Sequence, residues 1–298
     1  MQDSPTLLFR GSATALITPF SGGKIDFDCF ANLIECNVRG GADALVVAGT
    51  TGEASTLSPE EQEALCACAV QVAAGRVPII GGAGANDTAR ACDLARRMCR
   101  AGCDGLLCVT PYYNKATPRG MELHFQSIAE AAEKPIILYN VPSRTGCEIP
   151  LSAYETLAKH PNIRGVKEAS GDIVYAQHVI ARCGDRLPLY SGCDRLTLPL
   201  LSLGAQGVIS VAGNVMPAVM HAICHAYFSG DTATAARAQL GALAFMDATM
   251  AQVNPVPIKT ACAIMGLCRE EFRLPLCPML PMQKRELAAL LAQYGLCP

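Results

Sequence analysis

Lys167 is the residue whose type and position most directly suggest chemistry. It ends the run Ile163–Lys167, which is predicted to be a buried strand. Burial disfavours the charged ammonium group and favours the neutral amine, the form of lysine that attacks a carbonyl carbon. A strand-end lysine paired with an acid such as Glu168 is the structural alternative. This strand alone does not separate a Schiff-base lysine from an ion-paired one.

Three other features would suit a substrate that carries a carboxylate. The turn Gly49-Thr50-Thr51-Gly52 offers backbone amides and hydroxyls to an anion, although it could equally be a plain tight turn. Tyr139 ends an apolar strand, where a tyrosine is usually a core residue whose hydroxyl needs a partner, and Thr51 is a candidate. Arg144 follows in a turn and could bind a carboxylate or form an ordinary surface ion pair.

The elements that would position these residues form a repeating pattern. A helix that ends at glycine is followed at once by an apolar run at Arg39–Val47, Ala101–Leu107 and Leu203–Ser210. Further apolar runs make eight short strands in all, at 13–17, 77–80, 135–139, 163–167 and 187–190. Helical periodicity is clear at 59–74, 88–101, 119–133 and 172–183. The strands are continuously apolar, as expected for parallel strands covered by helices on both sides.

Eight alternating units predict an α/β fold, a (β/α)₈ TIM barrel, over residues 1–230. Residues 231–298 predict a C-terminal helical extension packed on the barrel, with helices at 232–252, 258–267 and 282–294. In such barrels the active site lies at the carboxyl ends of the strands. The turn at Thr50-Thr51, Tyr139, Arg144, Lys167 and Gly192 all fall there.

Composition and charge limit the function classes. The chain has 298 residues, of which 51% are hydrophobic and 17% charged, and a net charge of −2 without a basic stripe, so we expect no nucleic-acid partner. The uncharged stretch 196–230 is interrupted by proline and glycine, so we expect no membrane span. Sixteen scattered cysteines without a secretory signal predict reduced thiols and a cytoplasmic protein. We expect no metal and no organic cofactor.

Together these motifs resemble the 4-hydroxy-tetrahydrodipicolinate synthase (dihydrodipicolinate synthase) family, within the N-acetylneuraminate lyase superfamily of class I aldolases. The likeness runs from about Ala13 to the end of the chain. Its motifs, in this order and on these strand ends, are highly specific: Gly49-Thr50-Thr51-Gly52-Glu53, Thr110-Pro111-Tyr112-Tyr113-Asn114, Tyr139-Asn140-Val141-Pro142-Ser143-Arg144-Thr145-Gly146 and Val166-Lys167-Glu168-Ala169-Ser170-Gly171.

The resemblance implies that Lys167 forms a Schiff base with pyruvate, and that the derived enamine adds to L-aspartate 4-semialdehyde in lysine and diaminopimelate biosynthesis. Thr51, Tyr139 and Tyr113 would form a proton relay, with Tyr113 supplied by a neighbouring subunit. The partner chain implies a homo-oligomer, at least a dimer and, by analogy with the family, a tetramer.

The resemblance also implies the binding groups. Thr50 and Thr51 would hold the pyruvate carboxylate, and Gly192 and Ile209 would line that pocket through their backbones. Arg144 would hold the carboxylate of the semialdehyde. Two readings stay open beside this one: another pyruvate-dependent aldolase or lyase acting on a keto-deoxy sugar acid or N-acetylneuraminate, and a barrel that binds a small keto or amino acid without catalysis.

Two features depart from the family pattern. Relatives inhibited by lysine carry histidines and an acid where this chain has Pro59, Gln62 and Arg90. Arg90 would place a positive charge near the ammonium group of lysine, so we predict weak or absent inhibition by lysine. In addition, Gln252 stands where the family often has an acid shortly before an Asn-Pro pair, and the sequence alone does not explain its effect.

Overall fold

Eight parallel strands form a closed barrel in the computed structural model, which describes residues 7–297. In chain order each barrel strand pairs with the next, and the last pairs with the first through Gly11–Thr14 and Gly207–Ser210. The predicted TIM barrel is therefore confirmed. The strands are β1 (Gly11–Ala15), β2 (Ala44–Val47), β3 (Ile79–Gly82), β4 (Gly105–Val109), β5 (Ile136–Asn140), β6 (Ile163–Glu168), β7 (Leu189–Ser191) and β8 (Gly207–Ser210).

The helices alternate with the strands and then continue beyond the barrel. The α2 helix shows why they begin where they do: Ser58 and Glu61 form a capping box, and Pro59 occupies the first turn. The helices are α1 (Phe27–Arg39), α2 (Pro59–Ala73), α3 (Thr88–Arg100), α4 (Pro118–Ala131), α5 (Pro142–Thr145), α6 (Leu151–Leu157), α7 (Ile173–Cys183), α8 (Thr197–Ser202), α9 (Pro217–Phe228), α10 (Thr232–Gly241), α11 (Leu243–Ala248), α12 (Val256–Ile264) and α13 (Pro281–Gln293).

The barrel interior is a packed core that is open only at the carboxyl ends of the strands. Small residues of β1 and β2 face larger ones of β5 and β7, such as Ile137 and Tyr190. At the opposite end Phe9 stacks on Tyr190 with ring centroids 4.3 Å apart, and the Tyr190 hydroxyl donates to the Phe9 carbonyl. Because the described side chains fill this end, a small molecule would enter the barrel from the carboxyl side.

The C-terminal helices pack on the barrel through a second core. Phe245, Ile258 and Leu291 are fully buried together with Ile17 and Val208 of the barrel. The boundary at residue 230 stays a prediction. One expected helix, 232–252, is wrong: the chain forms α10 and α11, with a break at Ala242. The break follows Gly241, the last residue of α10, and glycine is unfavourable in the interior of a helix.

Two further sequence expectations concern the cysteines and the membrane. All sixteen cysteines lie within the described residues, and each is a free thiol. None of the helices in the described part of the chain is both long and apolar enough to cross a membrane.

Candidate active site

The amine of Lys167 lies at the mouth of the barrel beside Tyr139. In the β5–β6 ladder the two residues are direct Cα partners, so their side chains leave the sheet side by side. Nζ of Lys167 lies 4.3 Å from the centroid of the Tyr139 ring, and the lysine is only 5% exposed. The fold therefore brings the candidate nucleophile and the candidate proton-transfer group together.

Glu168 does not pair with Lys167, so the ion-paired lysine that the sequence left open is not formed. Its carboxylate accepts hydrogen bonds from Asn140 Nδ2 at 2.8 Å and from the Ser170 amide at 2.6 Å, on the outer side of the barrel. Burial raises the pKa of Glu168, and those hydrogen bonds oppose the shift. Among residues 7–297, Lys167 forms no ion pair, so its amine is available to a substrate.

A cavity of about 270 Å³ opens in front of this amine. The barrel supplies one part of its wall and the C-terminal extension supplies the other, through Met246, Thr249 and Asn254. A volume of this size suits one or two small metabolites rather than a polymer. The cavity is lined by Thr51, Tyr139, Val141, Ser143, Arg144, Lys167, Ala169, Ser170, Gly171, Gly192, Cys193, Asp194, Arg195, Val211, Met246, Thr249, Met250 and Asn254.

Gly192 lies where Ala169 and the backbone of β6 leave no room for a side chain. A Cβ at this position would lie 2.6 Å from the Ala169 Cβ and 3.1 Å from the Lys167 Cε. Its own amide donates to the Glu168 carbonyl at 2.6 Å, which fixes the backbone against β6. The predicted position of Gly192 at the site agrees with this packing.

Thr51 and Thr50 lie on opposite sides of their turn. Thr51 is buried at the 270 Å³ cavity, where its Oγ1 accepts a hydrogen bond from Asn254 Nδ2 at 3.0 Å. Among residues 7–297 no hydrogen bond joins Thr51 to the Tyr139 hydroxyl, so the expected contact is not formed, and Thr51 pairs with Asn254 instead. Because Thr51 accepts from Asn254, its own hydroxyl proton remains free to be donated.

Thr50 lines a second cavity, of about 420 Å³, which shares Tyr139, Val141 and Arg144 with the first. Gln62 and Arg90 also lie in its wall, whereas Pro59 does not. The only charged residues in this wall are Arg90 and Arg144. Within the described chain this cavity therefore offers cations to a ligand and no carboxylate.

Arg144 points its guanidinium into the space between the two cavities. It lies on the short helix α5, and its Nη2 donates to the Asn254 carbonyl at 3.4 Å. Within residues 7–297 it has no carboxylate partner, so the ordinary surface ion pair is not formed. An arginine held by a carbonyl keeps donors for a substrate carboxylate.

Two predicted site residues, Tyr113 and Ile209, are not among those that line the 270 Å³ cavity within one chain. Tyr113 is 91% exposed and has a positive φ of 71°, a conformation that is uncommon for a tyrosine. Ile209 lies inside the barrel core and is fully buried. The wall near it is formed by Val211, two residues further along the chain.

The comparisons with known proteins show which family this chain belongs to. The family model described as "Dihydrodipicolinate synthetase family" matches residues 8–294. The chain belongs to this family. A 4-hydroxy-tetrahydrodipicolinate synthase from Geobacter sulfurreducens is 43% identical over 289 residues, which are 97% of this chain and 100% of that protein.

Solved structures of dihydrodipicolinate synthases share the fold over nearly the whole chain. The enzyme from Aquifex aeolicus has a TM-score of 0.95 and 42% identity, covering 97% of this chain and 99% of the other. The chloride-inhibited enzyme from Acinetobacter baumannii, solved as a complex with pyruvate, has a TM-score of 0.94 and 38% identity, covering 96% and 99%.

The family motifs did not draw attention to Asn254 and Asp194, which also line the 270 Å³ cavity. Asn254 contacts Thr51 through its side chain and Arg144 through its carbonyl. Asp194 is buried and accepts from the amides of Val211 and Ala212. Burial raises its pKa, and the nearby Lys167 opposes that shift. Two sequence signals could have pointed to these residues: the pair Asn254-Pro255, and the acid Asp194 two residues after Gly192.

Gln252 has a structural explanation that the sequence did not provide. Its side-chain amide donates to Oε1 of Gln283 on α13. The pair joins the segment before Asn254 to the last helix of the extension.

Proposed function

We propose that this chain condenses pyruvate with L-aspartate 4-semialdehyde to give 4-hydroxy-tetrahydrodipicolinate and one water. The observation that carries the proposal is the buried amine of Lys167, which has no ion-pair partner among the described residues and faces a small cavity beside Tyr139 and Thr51. Membership of the family and the names of its relatives support it. The enzyme is a lyase with the mechanism of a class I aldolase.

The first half of the reaction activates pyruvate. The Lys167 amine attacks the keto carbon, and the resulting carbinolamine loses water to form an iminium ion. The iminium draws electrons from the methyl group, which loses a proton and leaves a nucleophilic enamine. Because the protonated imine is the electron sink, these steps need no metal or organic cofactor.

Proton transfer in these steps falls to hydroxyl groups. The Tyr139 ring packs against the amine, so its hydroxyl is the candidate donor to the departing water. Thr51 retains a free hydroxyl proton beside it. Tyr113 would complete the relay from a neighbouring subunit.

The second half joins the two substrates. The enamine carbon attacks the aldehyde carbon of the semialdehyde, whose oxygen takes up a proton and becomes the hydroxyl of the product. The amino group of the same substrate then attacks the imine carbon. Ring closure expels the Lys167 amine and restores the enzyme.

The carboxylates of the two substrates would bind at opposite sides of the amine. Thr51, with the backbone of the Thr50-Thr51 turn, would hold the carboxylate of pyruvate, and the backbone of Gly192 would border it. The backbone of Ile209 would close this pocket from the β8 side. Arg144, which has no acidic partner among the described residues, would hold the carboxylate of the semialdehyde.

The exposure of Tyr113 supports a homo-oligomer. Tyr113 is 91% exposed and has a positive φ, a backbone conformation that is uncommon for a tyrosine and that is found mostly at functional sites. We propose that a second copy receives this ring in its own active site, so that the dimer is the smallest complete unit and a tetramer pairs two such dimers. The sixteen free thiols fit a reducing compartment, and we place the enzyme in the cytoplasm.

Turnover assays separate this function from the alternatives. Pyruvate with L-aspartate 4-semialdehyde should give product at a much higher kcat/KM than any cleavage of keto-deoxy sugar acids or N-acetylneuraminate. Faster turnover of a sugar acid would overturn the assignment. A protein that binds pyruvate without any covalent adduct would be a binder instead.

A further inference from the structure

A buried ion pair links the back of the Thr50-Thr51 turn to the C-terminal extension. Lys259 Nζ lies 2.6 Å from Glu53 Oε1, and neither side chain has any exposed surface. We propose that Lys259 and Glu53 are positioning residues that hold this turn where it receives the carboxylate of the keto acid. The inference rests on the proposed function.

Glu53 is part of the turn itself. Its amide donates to the Thr50 carbonyl at 3.1 Å, and its backbone is in the left-handed region with φ 57°. Its carboxylate pairs with Lys259 of the extension, and Glu53 lines neither of the two cavities. Any shift of the carboxylate must therefore be transmitted to Thr51, two residues earlier.

Lys259 is fixed by its surroundings on α12. Its ammonium lies 4.0 Å from the centroid of the Phe20 ring and 5.1 Å from that of Phe272. Such faces attract a cation and exclude water. The lysine cannot follow a moving turn, because it is enclosed on all sides.

The same segment holds the turn at two more points. Asn254, five residues before Lys259, donates to the Thr51 side chain at 3.0 Å. The amide of Arg273 donates to Glu53 Oε2 at 3.4 Å, and its guanidinium binds Glu61 at 2.6 and 2.7 Å. Residues 254–273 therefore hold the Thr50-Thr51 turn from one side.

Stability alone does not account for such a pair. Replacing a buried ion pair by apolar or neutral groups of similar volume often leaves stability unchanged or raises it, whereas removing one partner is costly. Stability and positioning can therefore be separated by comparing Lys259→Met with Glu53→Gln/Lys259→Met. The double variant removes both charges together.

Three quantities are measured for each variant: KM for pyruvate, kcat per active site and the midpoint of thermal unfolding. Active sites are counted by borohydride trapping with labelled pyruvate. Leu291→Ala is the matched control, because Leu291 is fully buried in the extension core and does not touch the turn. It should lower the midpoint and leave KM unchanged.

We expect Lys259→Met to lower the midpoint and to raise KM for pyruvate roughly tenfold, as a carboxylate site displaced by a fraction of an ångström would. The double variant should recover the midpoint and keep the raised KM. A double variant whose KM lies within twofold of the parent would overturn the inference. If the parent itself gave no adduct with pyruvate, the proposed function would fail instead.

Discussion

Replacing Gly192 with alanine would place a methyl group between β7 and the reactive lysine. The new Cβ would lie 2.6 Å from the Ala169 Cβ, about 0.9 Å short of the roughly 3.5 Å at which carbon atoms make favourable contact. It would also lie 3.1 Å from the Lys167 Cε. The severe conflict is with Ala169, two residues after Lys167, so relieving it would shift the end of β6, and the end of the lysine side chain must also give by a few tenths of an ångström.

A displacement near 1 Å of a reacting group can lower a rate by about 100-fold. The Lys167 Cε must move by less than that, so we expect Gly192→Ala to slow formation of the pyruvate adduct at saturating pyruvate roughly tenfold, and by no more than about 100-fold. The overpacking itself should destabilise the fold by about 1–3 kcal/mol. The assay is the rate at which borohydride traps the adduct, followed by mass spectrometry, with thermal unfolding measured in parallel.

Gly40→Ala is the matched control for this experiment. A Cβ on Gly40 would lie 2.5 Å from Pro217 Cγ, a conflict of similar size on the outer surface of the barrel. This variant should lose comparable stability and trap pyruvate within twofold of the parent rate. The reasoning is refuted if Gly192→Ala also traps pyruvate at the parent rate.

Three further predictions follow from single residues. Arg144→Met should raise KM for the semialdehyde roughly 10- to 100-fold, since a hydrogen bond to a charged group contributes about 1.5–3 kcal/mol. Trapping of pyruvate should be unchanged, and an unaltered KM for the semialdehyde would contradict the role of Arg144. Lysine should not inhibit half-maximally below millimolar concentration, because the wall that contains Arg90 has no carboxylate, and a sub-millimolar inhibition curve would show otherwise. Burial lowers the pKa of His124, which contacts Thr88. The unfolded chain is protonated at this histidine near pH 6.5, whereas the folded state is protonated only at lower pH. Stability from this group is therefore lost as pH falls below about 6.5, by at most about 1.4 kcal/mol per pH unit, and chemical denaturation of His124→Asn should lack that part of the slope.

The barrel could be predicted because its strands are short apolar runs between glycine turns. The ends of the strands were harder to predict, because buried residues continue beyond the last residue that pairs with a neighbouring strand. Ile17 was expected in β1 and is buried, but its amide donates to the Asn214 side chain instead of a neighbouring strand. Conversely, Gly82 belongs to β3, where a Cβ would lie only 2.0 Å from the Ala48 carbonyl oxygen.

The candidate site was predictable where one strand end carries the residue, as for Lys167 and Tyr139. It was not predictable where distant segments meet. Asn254 reaches Thr51 across 203 positions of the chain, and no local pattern encodes that contact. The partner of Lys259 is likewise a residue near the start of the barrel.

The most direct test of the central claim is reduction of the enzyme by borohydride in the presence of pyruvate, followed by peptide mapping. We predict one added three-carbon acid per chain, on Lys167, and none in the absence of pyruvate. An adduct on another lysine, or no adduct in an enzyme that still turns over, would contradict it.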